Sequence, residues 1–211
     1  MATKKIVKTT AKKSVKSNKV LESSGRMFGN IANILKVDPS RQSYFMMMNI
    51  VSYETVQPII EWILESNFAE EQPDTLTLLV CSPGGELAPA MALIDIMRGS
   101  SIPVATVAVG EIASAGTMIT MAGQKGKRFS TTNTSIMSHQ YSGGHIGKHH
   151  ELIPAVKDFE LTDARIIRLY QQCTGLDERK IREILLPPHD VYLTPEEAKK
   201  YGIIDVIRDL N

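Results

Sequence analysis

Four stretches of this chain carry residue types that could work together on a carbonyl. Ser114 lies in Gly110-Glu111-Ile112-Ala113-Ser114-Ala115-Gly116, between an apolar run and a run of small residues with helical character. A serine there reads either as a helix N-cap or as a nucleophile placed where the dipole and free N–H groups favour developing negative charge. His139 closes Ile136-Met137-Ser138-His139-Gln140, and Asp190 sits in Pro188-His189-Asp190-Val191-Tyr192. Alone, each reads as a structural histidine and a turn aspartate. Ser82-Pro83-Gly84-Gly85 follows another apolar run. Its glycines allow a tight strand-to-helix turn, and the same turn offers bare N–H groups to an anion or oxyanion. No Gly-Lys-Ser/Thr follows, so this is not a P-loop. Ile112 stands where an α/β-hydrolase nucleophile elbow requires glycine.

Together these elements meet the needs of acyl transfer. A serine nucleophile needs a base, the base needs an acid to hold its tautomer, and the tetrahedral intermediate needs backbone donors. Ser114, His139, Asp190 and Gly85 would supply the four functions. Their order, Ser…His…Asp, is neither the hydrolase, the chymotrypsin nor the subtilisin order.

The elements that must position them alternate between strand and helix patterns. Ser43–Ile50, Thr75–Cys81, Ile102–Val109, Arg128–Ser130, Ser135–Gln140 and Ile203–Ile207 read as strands. Thr55–Ser66, Leu87–Arg98, Ser114–Ala122, Leu152–Cys173, Asp177–Leu185 and Thr194–Tyr201 read as helices. Pro58 is expected within the first turn of its helix. Thr194, Pro195 and Glu197 form a capping box with proline at the first helical position. This order predicts an α/β fold with much parallel pairing.

The chain has 211 residues, 43% hydrophobic and 22% charged, an ordinary globular composition compatible with one core. No stretch of about 18 uninterrupted apolar residues occurs, which argues against a spanning helix. Two cysteines, Cys81 and Cys173, make no disulfide framework, so a reducing, cytoplasmic setting is expected. The net charge of +1 conceals seven lysines and no acid in residues 1–20; removing them leaves the rest of the chain at −6. Residues 1–24 are read as a basic flexible tail or pro-segment and 25–211 as the folded domain. Nucleic-acid binding is the weaker reading of the tail, since no aromatic interleaves its lysines. The same holds for the basic turn Lys125-Gly126-Lys127-Arg128. His145, His149 and His150 lack a completing set of ligands, and no metal or other cofactor is expected. Cys81 is expected to be buried, and Met46, Met47 and Met48 to be core or a packing surface rather than a cofactor site.

At this point the sequence resembles the caseinolytic Clp protease family, ClpP. The resemblance rests on CSPGG at 81–85, GEIASAG at 110–116, GQKGKRF at 123–129, MSHQYSGG at 137–144 and DVYLTPEEAKKYGIID at 190–205. They occur in the family's order, with 25 residues from Ser114 to His139 and 51 from His139 to Asp190. The resemblance implies Ser114 as nucleophile, His139 as base, Asp190 as its orienting acid, and the Gly85 and Ala115 N–H groups as oxyanion hole. It implies a ClpP/crotonase-like spiral of ββα units with a helical handle near 152–173. It further implies two stacked heptameric rings enclosing the active sites, fed with unfolded polypeptide by an AAA+ unfoldase. The chain departs from the family at Cys81 (usually Asn), Ala115 (often Met), residues 141–150, and the region before Gly25.

The reading is therefore a self-compartmentalising serine endopeptidase. Its alternatives are a weakly active or inactive ring subunit assembling with an active paralogue, and a crotonase-type acyl-CoA enzyme on the same fold. The tail joins where the family places its axial segment, near the pore. Deleting residues 1–20 is expected to leave cleavage of small peptides unchanged. Loss of ring assembly in the truncated protein, seen by electron microscopy, would overturn that assignment.

Overall fold

A computed structural model describes residues 41–209. The tail and the region before Arg41 lie outside the described residues. Seven strands form one sheet: β1 Gln42–Met48, β2 Thr75–Ser82, β3 Val104–Ala113, β4 Arg128–Ser130, β5 Ser135–Ser138, β6 Val191–Leu193 and β7 Val206–Ile207. The main path runs β1-β2-β3-β4-β7, and β5 pairs with both β3 and β6. Among the described residues only the β5–β6 pair is antiparallel. The helices are α1 Tyr53–Phe68, α2 Leu87–Gly99, α3 Ala115–Met121, α4 His149–Thr174, the short α5 Glu178–Lys180, and α6 Pro195–Lys200. The α/β expectation therefore holds, with alternating units and a mostly parallel sheet.

Local chemistry accounts for most boundaries. Ser52 and Thr55 cap α1 reciprocally, the Ser52 amide donating to Thr55 Oγ1 at 2.9 Å, so the helix begins two residues before the apolar periodicity does. Pro58 consequently falls in the second turn rather than the first. It sits on the exposed face, where solvent can take the carbonyl its missing N–H would have bonded. The Thr194–Glu197 capping box forms as expected. Asp177–Leu185 is not one helix: three α-helical residues pass into a π-helical turn, Ile181–Leu185. The last strand keeps only Val206–Ile207, because Ile203 and Ile204 fold back onto the Ala198 carbonyl. Met46, Met47 and Met48 alternate as a strand requires, with Met47 buried and its neighbours exposed.

β2 is buried along nearly its whole length, and Leu76, Leu78 and Val80 face the main core with Leu93, Ile94, Ile112 and Ile119. β3 is the strand on which the sheet forks. Its Thr106–Ala108 stretch pairs with β4, and its Glu111–Ala113 stretch pairs with β5. Between them the register against β2 slips: Val80 faces Ala108, yet Ser82 faces Ile112. Two extra residues are thus looped into β3, and Gly110, at φ 69°, takes the left-handed conformation inside that bulge.

β4 begins with a buried cation. Arg128 is 2% exposed and its guanidinium bonds to the Asp205 carboxylate (Nε–Oδ2 2.8 Å) and to the carbonyls of Met121, Cys173 and Gly202. The basic turn therefore loses one cation to the interior. Burial opposes ionisation of Asp205. The Arg128 guanidinium and the Arg128 and Gly126 amides outweigh it and hold the carboxyl below the ordinary 3.8. The unfolded chain binds that proton more readily, so the contribution is present above about pH 4 and is lost as pH falls through the folded value. Asp205→Asn is expected to cost about 3 kcal/mol at pH 7, as when one partner of a buried pair is removed. In denaturant unfolding, its deficit against wild type should shrink as pH falls below about 4. A deficit independent of pH would show that the charge is immaterial.

Candidate active site

Two strand registers bring the chemistry together. In the parallel β3–β5 pair, Ala113 faces Met137. Ser114 is thus the residue after the β3 ladder and His139 the residue after β5. In the antiparallel β5–β6 pair, Ser138 faces Val191, so the next positions outward are His139 and Asp190. The Ser114 amide donates to the Met137 carbonyl at 3.0 Å, extending the ladder to the serine itself. His139 Nε2 then lies 2.7 Å from Ser114 Oγ. On the other side of the ring, Nδ1 is 3.7 Å from Asp190 Oδ1, a charge contact longer than a hydrogen bond. The Asp190 side chain is 55% exposed and that of His139 23%.

Ser114 stands at the N-cap position of α3, but its hydroxyl does not cap the helix. Its side chain makes no capping bond, and its backbone sits at φ 53°, ψ −121°. It is the one non-glycine residue at positive φ among those described. A side chain held there stores about 1–3 kcal/mol of strain. The surroundings enforce it: the Ser114 amide is tied to β5, and its carbonyl accepts from Met118 in the first turn of α3. Gly84 leaves the room required, since a Cβ on it would come 2.7 Å from both the Ser114 Cβ and the Ala113 carbonyl oxygen.

The Ser82–Gly85 turn is fixed from outside. The Val51 amide donates to the Gly84 carbonyl at 2.7 Å, and Glu86 N–H donates to the Val51 carbonyl at 2.8 Å. Among the described residues, the Gly85 and Ala115 N–H groups have no acceptor. Both border a cavity of about 180 Å³ that also holds Ser114 and His139. Leu87, Met118, Tyr141, Ile166 and Tyr170 form its apolar walls. That is below the size of a typical small-molecule site and suits a single side chain.

All five expected residues, Ser114, His139, Asp190, Gly85 and Ala115, thus lie in one neighbourhood. Sequence reasoning did not find the groups behind them. Tyr170, on α4, is fully buried, and its hydroxyl is 2.8 Å from Ser138 Oγ, beside His139. Burial pushes this phenol up to about 12, so it stays protonated at neutral pH. Tyr141 donates to the Phe159 carbonyl at 3.2 Å, which fastens the cavity wall to α4. Only the apolar periodicity of α4 hinted at Tyr170; nothing local marked Tyr141. Cys81 is partly exposed rather than buried.

The chain is similar to known proteins over most of its described length. The Clp protease family model matches residues 39–210. An ATP-dependent Clp protease proteolytic subunit of Deinococcus radiodurans is 34% identical over 147 residues, covering 70% of each chain. The chloroplastic ATP-dependent Clp protease proteolytic subunit 3 of Arabidopsis thaliana is 33% identical over 141 residues, covering 67% of this chain and 45% of the relative. The chain belongs to the Clp protease family of proteolytic subunits.

The strain at Ser114 makes a stability prediction. Ser114→Gly is expected to be about 1 kcal/mol more stable than Ser114→Ala, because relief of strain exceeds the entropy cost of glycine. Both variants lose the bond to His139, so the comparison isolates the backbone. The thermal midpoint should differ by about 2–4 °C. An alanine variant equal to or above the glycine variant would show that this backbone is unstrained.

Proposed function

We propose that this chain is a serine endopeptidase subunit with Ser114, His139 and Asp190 as its catalytic triad. The observation that carries the reading is the 2.7 Å approach of His139 Nε2 to the hydroxyl of a serine held at positive φ. Ser114 Oγ attacks the peptide carbonyl carbon while His139 Nε2 takes the hydroxyl proton. The Gly85 and Ala115 N–H groups face the oxyanion, a contribution for which one lost donor typically costs about 10²–10³ in rate. The C–N bond breaks, and His139 returns the proton to the departing amine. Water, deprotonated by the same imidazole, then hydrolyses the acyl-enzyme. The cavity receives the side chain on the acyl side of the bond. Asp190 faces Nδ1 and favours the tautomer with Nε2 free.

Family membership extends the proposal to the assembly. The sheet and helices would be the head of a ClpP/crotonase-like spiral, with α4 as its handle. Two heptameric rings would stack to enclose the sites, and an AAA+ unfoldase would deliver unfolded polypeptide. Among the described residues no helix is long and apolar enough to cross a membrane. A cytoplasmic location is part of the proposal.

The 3.7 Å gap between His139 and Asp190 favours a second reading, a subunit weakly active until a paralogous ring or a partner closes the gap. Assays with and without such partners separate the two. Under the leading reading a fluorophosphonate probe labels wild-type protein at one site. Ser114→Ala abolishes labelling and lowers hydrolysis of a peptidyl aminocoumarin by about 10³-fold or more. Labelling that survives in Ser114→Ala would refute the nucleophile assignment.

A further inference from the structure

The segment that carries Asp190 has few means of holding itself in place. Residues 187 and 188 are both proline and have no N–H to donate. Among the described residues, 187–190 make no backbone–backbone hydrogen bond outside the β5–β6 ladder. The segment leaves the π-helical turn at Leu186, whose amide bonds back to the Ile181 carbonyl at 2.8 Å, and it ends at Val191 opposite Ser138. Leu186 and Pro187 are buried, and a side chain adds a directed bond: Gln140 Nε2 donates to the Leu186 carbonyl at 2.9 Å. A carbonyl oxygen only accepts, so the amide must present its nitrogen there.

Gln140 is the residue after His139. The strand bearing the histidine therefore grips the segment bearing the aspartate at both ends. Ser138 holds Val191 on one side of His139, and Gln140 holds Leu186 on the other. We infer that Gln140 is a positioning residue that sets the separation of Asp190 from His139 without touching substrate. The inference rests on the triad reading and deepens it. The chemistry asks for a residue at 140 with reach and a donor, because two consecutive prolines deprive the segment of donors of its own. A shorter or apolar side chain removes that hydrogen bond and leaves the segment to the burial of Leu186 and Pro187 and to the ladder at Val191.

The test uses full-length protein, fluorophosphonate labelling and hydrolysis of a peptidyl aminomethylcoumarin. Gln140→Met, which keeps length and loses the donor, is expected to lower kcat about tenfold, the rate equivalent of one ordinary hydrogen bond. KM should stay within about twofold, since no contact with substrate is removed. Gln140→Lys, which keeps a donor, should recover most of the loss. In an Asp190→Asn background, Gln140→Met should cost less than about twofold, because the group it positions is gone. Wild-type kcat in Gln140→Met, or the same loss in both backgrounds, would overturn the inference while labelling at Ser114 left the nucleophile reading intact. Wild-type protein that is never labelled would remove both.

Discussion

β5 is the constraint on which the site depends. Four residues long, it pairs in parallel with β3 through one edge and antiparallel with β6 through the other. A strand's side chains alternate and its register is discrete, so a one-residue slip in either ladder would turn His139 to the opposite face and break the cluster. Ser114, His139 and Asp190 each lie one residue beyond a ladder end. Backbone hydrogen bonding thus sets the coarse geometry, and two side chains bond to its flanks, Gln140 to the Leu186 carbonyl and Tyr170 to Ser138 Oγ.

β5 has a place beside β3 because β3 serves two partners. The bulge at Gly110 re-aims the end of β3, so that β4 takes its first half and β5 its second. β4 in turn is held by Arg128, whose guanidinium joins the ends of α3 and α4 to the turn before β7. A buried cation with five donors suits this junction, since helix C-termini leave carbonyls without partners. At the other end of β3 the chain enters Ser114 under strain, and Gly84 provides the gap into which the serine fits.

Much of the fold was legible. The apolar runs at Thr75–Cys81 and Leu87–Arg98 became β2 and α2 almost unchanged, because a buried strand and an amphipathic helix each carry a local signature. The errors fell where tertiary contacts overrule such signals. Residues 110–113 extend β3 only because β5 is there to pair with them. Residues 181–185 adopt a π-helical turn within a helical pattern. Ile203 and Ile204 look like a strand but are drawn back onto Ala198. The site residues were legible as types and spacings. Their relation was not: the serine's φ, the single hydroxyl-to-imidazole contact and the longer gap to Asp190 arise from pairing between segments far apart in the chain.

The sequence alone determined the α/β alternation, the tight turn at Gly84-Gly85, the capped helix after Asp190 and the inventory of groups able to do acyl chemistry. Each follows from short-range sterics, propensity or side-chain type. Tertiary structure decided which groups meet. It turned the Ser114 side chain from a helix-capping group into a half-buried hydroxyl on a strained backbone, and moved Arg128 from a surface turn to the interior. It also gave Gln140 a carbonyl to hold. These outcomes depend on strand register and on long-range packing, and neither is written in any local stretch of the chain.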